Sequence, residues 1–65
     1  MKEAVENLAV VQARLRHVRE AEALFERAVV LDGKDPKAWL NLAKARMELR
    51  KVGPADEAIQ RASAL

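Results

Sequence analysis

Apolar residues recur along this chain with the spacing of one face of an α-helix, in four successive stretches. A helix returns a side chain to the same face every three or four residues, so positions i, i+3, i+4 and i+7 lie together. Within residues 2–15 this face carries Val5, Leu8, Ala9, Gln12 and Leu15. The spacing predicts a first helix over residues 2–15 with this face directed inward.

The same spacing predicts three further helices, and the predicted fold class is therefore all-α. After a turn at residues 16–19, the second helix has an inward face of Ala21, Leu24, Phe25, Ala28 and Leu31. The third helix, over residues 36–50, has an inward face of Trp39, Leu42, Ala43 and Leu49. The fourth helix ends with the chain and carries Ala55, Ala58, Ile59, Ala62 and Leu65.

Helix boundaries are indicated by turn-forming and capping residues. Between the second and third helices, Gly33 suits a left-handed turn, Asp35 suits an N-cap and Pro36 suits a first helical turn. The pair Gly53–Pro54 predicts the boundary between the third and fourth helices.

The chain repeats itself at an offset of 34 residues without a gap. Eleven aligned pairs are identical, namely Ala4/Ala38, Asn7/Asn41, Leu8/Leu42, Ala9/Ala43, Leu15/Leu49, Arg16/Arg50, Val18/Val52, Ala21/Ala55, Arg27/Arg61, Ala28/Ala62 and Leu31/Leu65. A fixed period of this length is typical of a repeated supersecondary unit. We expect one domain, residues 1–65, with two helix-turn-helix hairpins at about residues 2–35 and 36–65.

The period, the run from Trp39 to Ala43 and the Ala-x3-Phe-x2-Ala pattern beginning at Ala21 resemble two tandem tetratricopeptide repeats. The related half-a-TPR repeats share this helix hairpin. The resemblance implies a short α-solenoid of four helices. The chain departs from that family at Arg16 and Arg50, where glycine is usual, and at Gly33, where proline usually closes a repeat.

Composition argues against catalysis and against a cofactor or metal site. The chain has no Cys, one His and a single hydroxyl side chain, Ser63. It also lacks a glycine-rich phosphate loop. The carboxylates of Glu22 and Glu26 are four residues apart beside Arg19 and Arg27, which indicates a charged outer surface. The sequence therefore predicts a non-enzyme without cofactors.

Apolar runs of no more than four residues argue against a membrane span. A cytoplasmic location is the default expectation for a sequence with no cysteine and no recognisable targeting signal. A net charge of +2 is too small to indicate nucleic-acid binding by itself.

The family resemblance implies a protein-interaction or assembly module that binds a peptide or partner helix on the concave side, formed by the first helix of each repeat. The residues placed there are Asn7, Val10, Ala13, Arg14, Leu40, Asn41, Lys44 and Met47. A solvated face, or one covered by self-association, is the alternative.

A second functional hypothesis concerns a basic edge at the two turns within the repeats. Its residues are Arg14, Arg16, His17, Arg19, Lys44, Arg46, Arg50 and Lys51. Such an edge can contact phosphates, as in an RNA-associated module, although the chain has no Tyr for base stacking. The alkyl part of Arg46 is expected to cover apolar surface while its charge reaches water.

Two repeats leave part of the fourth helix uncovered, because each repeat normally covers the apolar face of its neighbour. We expect Ile59, Ala62 and Leu65 to mediate self-association, giving a homodimer. The alternative is a segment cut or engineered from a longer array.

A continuous first helix is a further alternative, since residues 2–32 contain neither Gly nor Pro. A heptad seam, interrupted by Glu22, runs through Ala4, Leu8, Val11, Leu15, Val18, Phe25 and Val29. An opened hairpin of this kind would give a domain-swapped dimer. Glu22 and the 34-residue period favour the closed turn.

Overall fold

A computed structural model describes residues 2–65, apart from the side chain of Lys2. It contains four α-helices in this part of the chain: α1 (Lys2–Arg14), α2 (Val18–Leu31), α3 (Pro36–Glu48) and α4 (Val52–Ala64). Helix α1 packs on α2 and α3 packs on α4, which gives two antiparallel hairpins, and α2 packs on α3 to join them. The all-α prediction is confirmed, and the first hairpin is closed rather than extended as one long helix.

Arginine, rather than glycine, closes the first helix of each hairpin. Arg16 and Arg50 have positive φ angles of 67° and 63°. After α1, the backbone N–H of His17 donates to the carbonyl of Gln12 at 2.8 Å, and that of Arg16 donates to Ala13 at 3.0 Å. These two bonds define a Schellman motif, which satisfies carbonyl groups at a helix end.

The same motif follows α3, and it corrects the predicted helix boundary. The Lys51 N–H donates to Arg46 at 2.8 Å and the Arg50 N–H donates to Met47 at 2.9 Å. Helix α3 therefore ends at Glu48, and α4 begins at Val52. Gly53 and Pro54 lie within the first turn of α4, where the missing N–H of proline breaks no helical hydrogen bond.

The turn between the hairpins confirms the predicted Asp35 cap, whose carboxylate accepts from the Lys37 backbone N–H at 3.0 Å. Pro36 begins α3 as expected. The prediction of a left-handed Gly33 is wrong, because Gly33 has no positive φ. Its lack of a side chain matters instead because an added Cβ would lie only 3.1 Å from the Val29 carbonyl oxygen.

The core is built mainly from alanine. Eight of the eleven buried apolar residues among those described are alanines, and Leu42 is the one large side chain that is fully buried. The inward face predicted for the first helix is only partly correct, since Leu8 and Leu15 are exposed. Leu8 lies on the side of α1 that no other described helix covers, and Leu15 lies just after the end of α1.

Trp39 is partly exposed and packs against the core. Its indole N–H donates to the Gly33 carbonyl at 2.8 Å. The guanidinium carbon of Arg61 lies 5.7 Å from the centre of the indole ring, within the range of a cation–π contact. Trp39 thus links α3 both to the preceding turn and to α4.

Glu22 is buried, which corrects its assignment to the outer surface. Its carboxylate accepts from Lys51 Nζ at 2.9 and 3.1 Å and lies 3.7 Å from Arg46 Nε. The Arg46 guanidinium also donates to the Pro54 carbonyl at 2.9 Å and to Glu26 at 3.3 Å. The Arg46 charge is therefore held between the hairpins rather than projecting into water. A buried carboxylate requires such partners.

Candidate functional site: a groove between the first helices of the two hairpins

A groove of about 290 Å³ lies between α1 and α3, with part of its wall supplied by α2 and the α1–α2 turn. Its lining residues are Val10, Ala13, Arg14, Arg16, Val18, Phe25, Asn41, Lys44, Ala45 and Glu48. Phe25 and Ala45 are buried, so they form an apolar base. The groove can therefore accept apolar side chains.

The polar part of the lining favours negative charge. Arg14, Arg16 and Lys44 are basic, and Glu48 is the acidic residue among the lining side chains. Asn41 adds an amide that can both donate and accept hydrogen bonds. An apolar base with a mainly basic, hydrogen-bonding rim suits a segment that carries both apolar and acidic side chains.

Five of the eight predicted binding residues line this groove: Val10, Ala13, Arg14, Asn41 and Lys44. Asn7, Leu40 and Met47 do not line it. Leu40 and Met47 are exposed, and they correspond through the 34-residue offset to Glu6 and Ala13, which are partly buried. Leu40 and Met47 therefore lie where a further hairpin, packed on the second as the second packs on the first, would cover them.

The remaining lining residues were absent from the predicted set. Arg16 enters the groove through its left-handed turn, and Phe25 reaches the base from α2, where its spacing indicated only a core role. Glu48 is the counterpart of Arg14 at the 34-residue offset. The repeat could therefore have predicted Glu48 as a lining residue once Arg14 was placed on this face.

The three residues predicted for self-association are not equally uncovered. Ile59 is 41% exposed whereas its counterpart Phe25 is 4% exposed, and Ala62 is partly exposed. Leu65 is 57% exposed and its counterpart Leu31 is 52% exposed. Stacking of a hairpin therefore covers the position of Ile59 but leaves that of Leu65 in solvent.

Internal ion pairs use two cations of the predicted basic edge, because Arg46 and Lys51 both contact Glu22. Arg16, His17 and Arg19 line a shallow depression near the first turn, together with Glu20. Within residues 2–65, no cluster of His, Cys, Asp or Glu side chains is suited to hold a metal ion.

Stacked helix hairpins with an open groove between their first helices define the chain as an α-solenoid repeat protein. The tetratricopeptide repeat family model matches residues 2–45, and the chain belongs to the tetratricopeptide repeat family. No curated protein and no solved structure matches the chain. Members of this family typically act as non-catalytic modules in protein–protein interactions.

None of the four helices within the described residues has the length and apolar character that a bilayer span requires.

Proposed function

We propose that the groove between α1 and α3 binds a protein segment that carries both apolar and acidic side chains. The observation that supports this proposal most directly is the combination of a buried Phe25 and Ala45 base with basic side chains at the rim. Apolar contacts supply much of the affinity in such a site, whereas the placed polar groups provide specificity.

Each part of the groove has a distinct contribution in this proposal. Val10 and Ala13 contact apolar side chains of the ligand, and the Asn41 amide forms hydrogen bonds with its backbone. Lys44 and Arg14 attract its carboxylates and increase the association rate at low salt. The ligand is an extended peptide or one face of a partner helix, because the groove is open.

The binding test uses peptides selected on the chain from a phage-displayed random library and then labelled with fluorescein. In anisotropy titrations, Lys44→Glu is expected to weaken binding about tenfold, equivalent to about 1.4 kcal/mol. Lys34→Glu is the matched control, because it makes the same charge change in an exposed turn outside the groove. Equal effects of the two substitutions, or selection of no peptide, would contradict groove binding.

The same proposal includes self-association through α4. Its support is the exposure of Ile59, where the equivalent Phe25 is buried by the second hairpin. We expect Ala62 to contribute at the edge of that interface, whereas Leu65 stays in solvent outside it, as its counterpart Leu31 does within the chain.

Binding of a protein segment is favoured over the RNA-associated alternative because Glu22 already contacts Arg46 and Lys51. The depression at Arg16, His17 and Arg19 is the feature that favours RNA. Labelled polyuridylate separates the two functions: binding that falls steeply with added salt would support the RNA alternative. No binding at low salt would remove it.

A further inference from the structure

The side of α1 that faces away from the second hairpin carries apolar residues like those that α3 buries against the first hairpin. No other described helix covers them on α1. On α3, Ala38, Leu42 and Ala45 are buried. Their counterparts 34 residues earlier are Ala4, Leu8 and Val11, and all three are exposed. Leu42 is fully buried whereas Leu8 is 47% exposed, although both occupy the same place in a helix hairpin. We name Ala4, Leu8, Val11 and Leu15 the head surface.

The opposite side of the molecule shows the complementary difference. On α2, Glu22, Phe25 and Val29 are buried and Val18 is partly buried, where the first hairpin meets the second. Their counterparts on α4 are exposed, namely Val52, Asp56, Ile59 and Ser63. We name these four residues the tail surface.

We propose that copies of this chain stack head to tail, with the head surface of one copy on the tail surface of the next. The contact repeats the packing of the second hairpin on the first. This inference deepens the self-association proposed above and rests on it. It adds the second surface and the direction of assembly.

The sizes of the facing residues support a second copy as the occupant. Within the chain, Phe25 and Ala45 both contribute to the base of one groove. Between copies, the corresponding residues are Ile59 on the tail and Val11 on the head. The tail side chain is smaller than Phe25 and the head side chain is larger than Ala45, so the changes offset each other. Such compensation preserves close packing.

The polar residues support the same arrangement. Within the chain, the Glu22 carboxylate on α2 meets Arg46 and Lys51 of the second hairpin. The corresponding tail residue is Asp56, and the corresponding residues beside the head surface are Gln12 and His17. Nδ1 of His17 lies 2.7 Å from Oε1 of Gln12. In the proposed stack, a carboxylate of the tail surface thus faces residue types with N–H donors beside the head surface, as Glu22 does inside the chain.

The two surfaces that meet in this contact are different, so the contact is heterologous. After every addition the stack still has one free head surface and one free tail surface. Such a contact builds an extended stack rather than a closed two-fold dimer. Each added copy also lengthens the row of first helices that carries the groove.

The test uses one variant that blocks each surface. Val11→Glu blocks the head and Ile59→Glu blocks the tail, and sedimentation equilibrium gives the mass over a wide concentration range. We expect the wild-type mass to rise beyond that of a dimer and each variant alone to remain monomeric. An equimolar mixture should double in mass and stop there, because only one pair of intact surfaces remains.

Val30→Glu is the matched control, since Val30 is the most exposed of the large apolar residues and belongs to neither surface. It should associate as the wild type does. Val52→Glu provides a second tail block at a more exposed position, should Ile59→Glu reduce helicity measured by circular dichroism.

Other outcomes distinguish the direction of assembly from self-association itself. A Val11→Glu variant that still dimerises would overturn head-to-tail stacking while leaving self-association through α4. A mixture that stays monomeric would overturn head-to-tail stacking. A wild-type chain that is monomeric at every concentration would overturn both and assign these surfaces to other hairpins or proteins.

Discussion

Two arginine residues occupy the backbone conformation that glycine adopts most easily. Arg16 and Arg50 have positive φ, and each is the left-handed residue of a Schellman motif. A side chain at such a position brings its Cβ too close to the backbone, at a cost of about 1–2 kcal/mol. Both turns form nonetheless, because the helices on either side pack against each other.

Replacing either residue should therefore stabilise the fold. We expect Arg16→Gly and Arg50→Gly each to raise the free energy of unfolding by about 0.5–1 kcal/mol, after the greater flexibility of glycine in the unfolded chain is considered. Arg27→Gly, within α2, should lower it by about 1 kcal/mol. Urea denaturation measures all three, and a loss of stability in both turn variants would contradict the assigned strain.

Leu42 and Leu8 offer a comparison of one residue type in two environments. Leu42→Ala should lower the free energy of unfolding by about 2–5 kcal/mol, because it leaves a cavity in the core. Leu8→Ala should cost less than about 1 kcal/mol in dilute solution, since Leu8 is half exposed. Thermal denaturation followed by circular dichroism compares them. Equal losses would mean that Leu8 is covered in the dilute chain.

At the scale of the helices, an ion-pair cluster joins the hairpins. Lys51 lies in the turn before α4 and Arg46 lies on α3, yet both contact Glu22 on α2. The side chain of Glu22, which contacts both cations, is 11% exposed. The side chain of Glu26, which contacts Arg46 but not Lys51, is 51% exposed. The buried carboxylate is therefore the more important of the two for holding the hairpins together.

This difference gives a prediction with an internal control. Glu22→Gln should lower the free energy of unfolding by about 1.5–3 kcal/mol, the range for a hydrogen bond to a charged group. Glu26→Gln should lower it by less than about 0.5 kcal/mol, because exposed ion pairs contribute little. Urea titrations of the two variants provide the comparison, and similar losses would show that Glu22 does not join the hairpins.

Local sequence was sufficient to predict the helices and the Asp35 cap, because both depend on residues close in the chain. It was insufficient for Glu22, whose partners come from the other hairpin. It was also insufficient for Leu8, because its burial depends on whether another hairpin covers α1. At the site, the family resemblance placed Val10 and Lys44 on the predicted binding face, but Phe25 reaches the groove through the packing of α2, which the sequence pattern did not indicate.

The small core links stability to assembly in the whole molecule. Alanine accounts for most of the buried apolar residues, and a chain of 65 residues buries a limited fraction of its surface. Exposed Leu8 and Val11 at one end, and Val52 and Ile59 at the other, provide apolar area that stacking would remove from water. We therefore expect folding and association to reinforce each other.

The most direct test of the coupling between folding and association is the dependence of the urea midpoint on protein concentration. The mass is measured by sedimentation at the same concentrations. Association of the folded chain makes stability concentration-dependent, because it removes folded monomer from the unfolding equilibrium. We predict that the midpoint and the mass rise together. A constant midpoint with a monomeric mass throughout would contradict the account and show that two hairpins are stable without further cover.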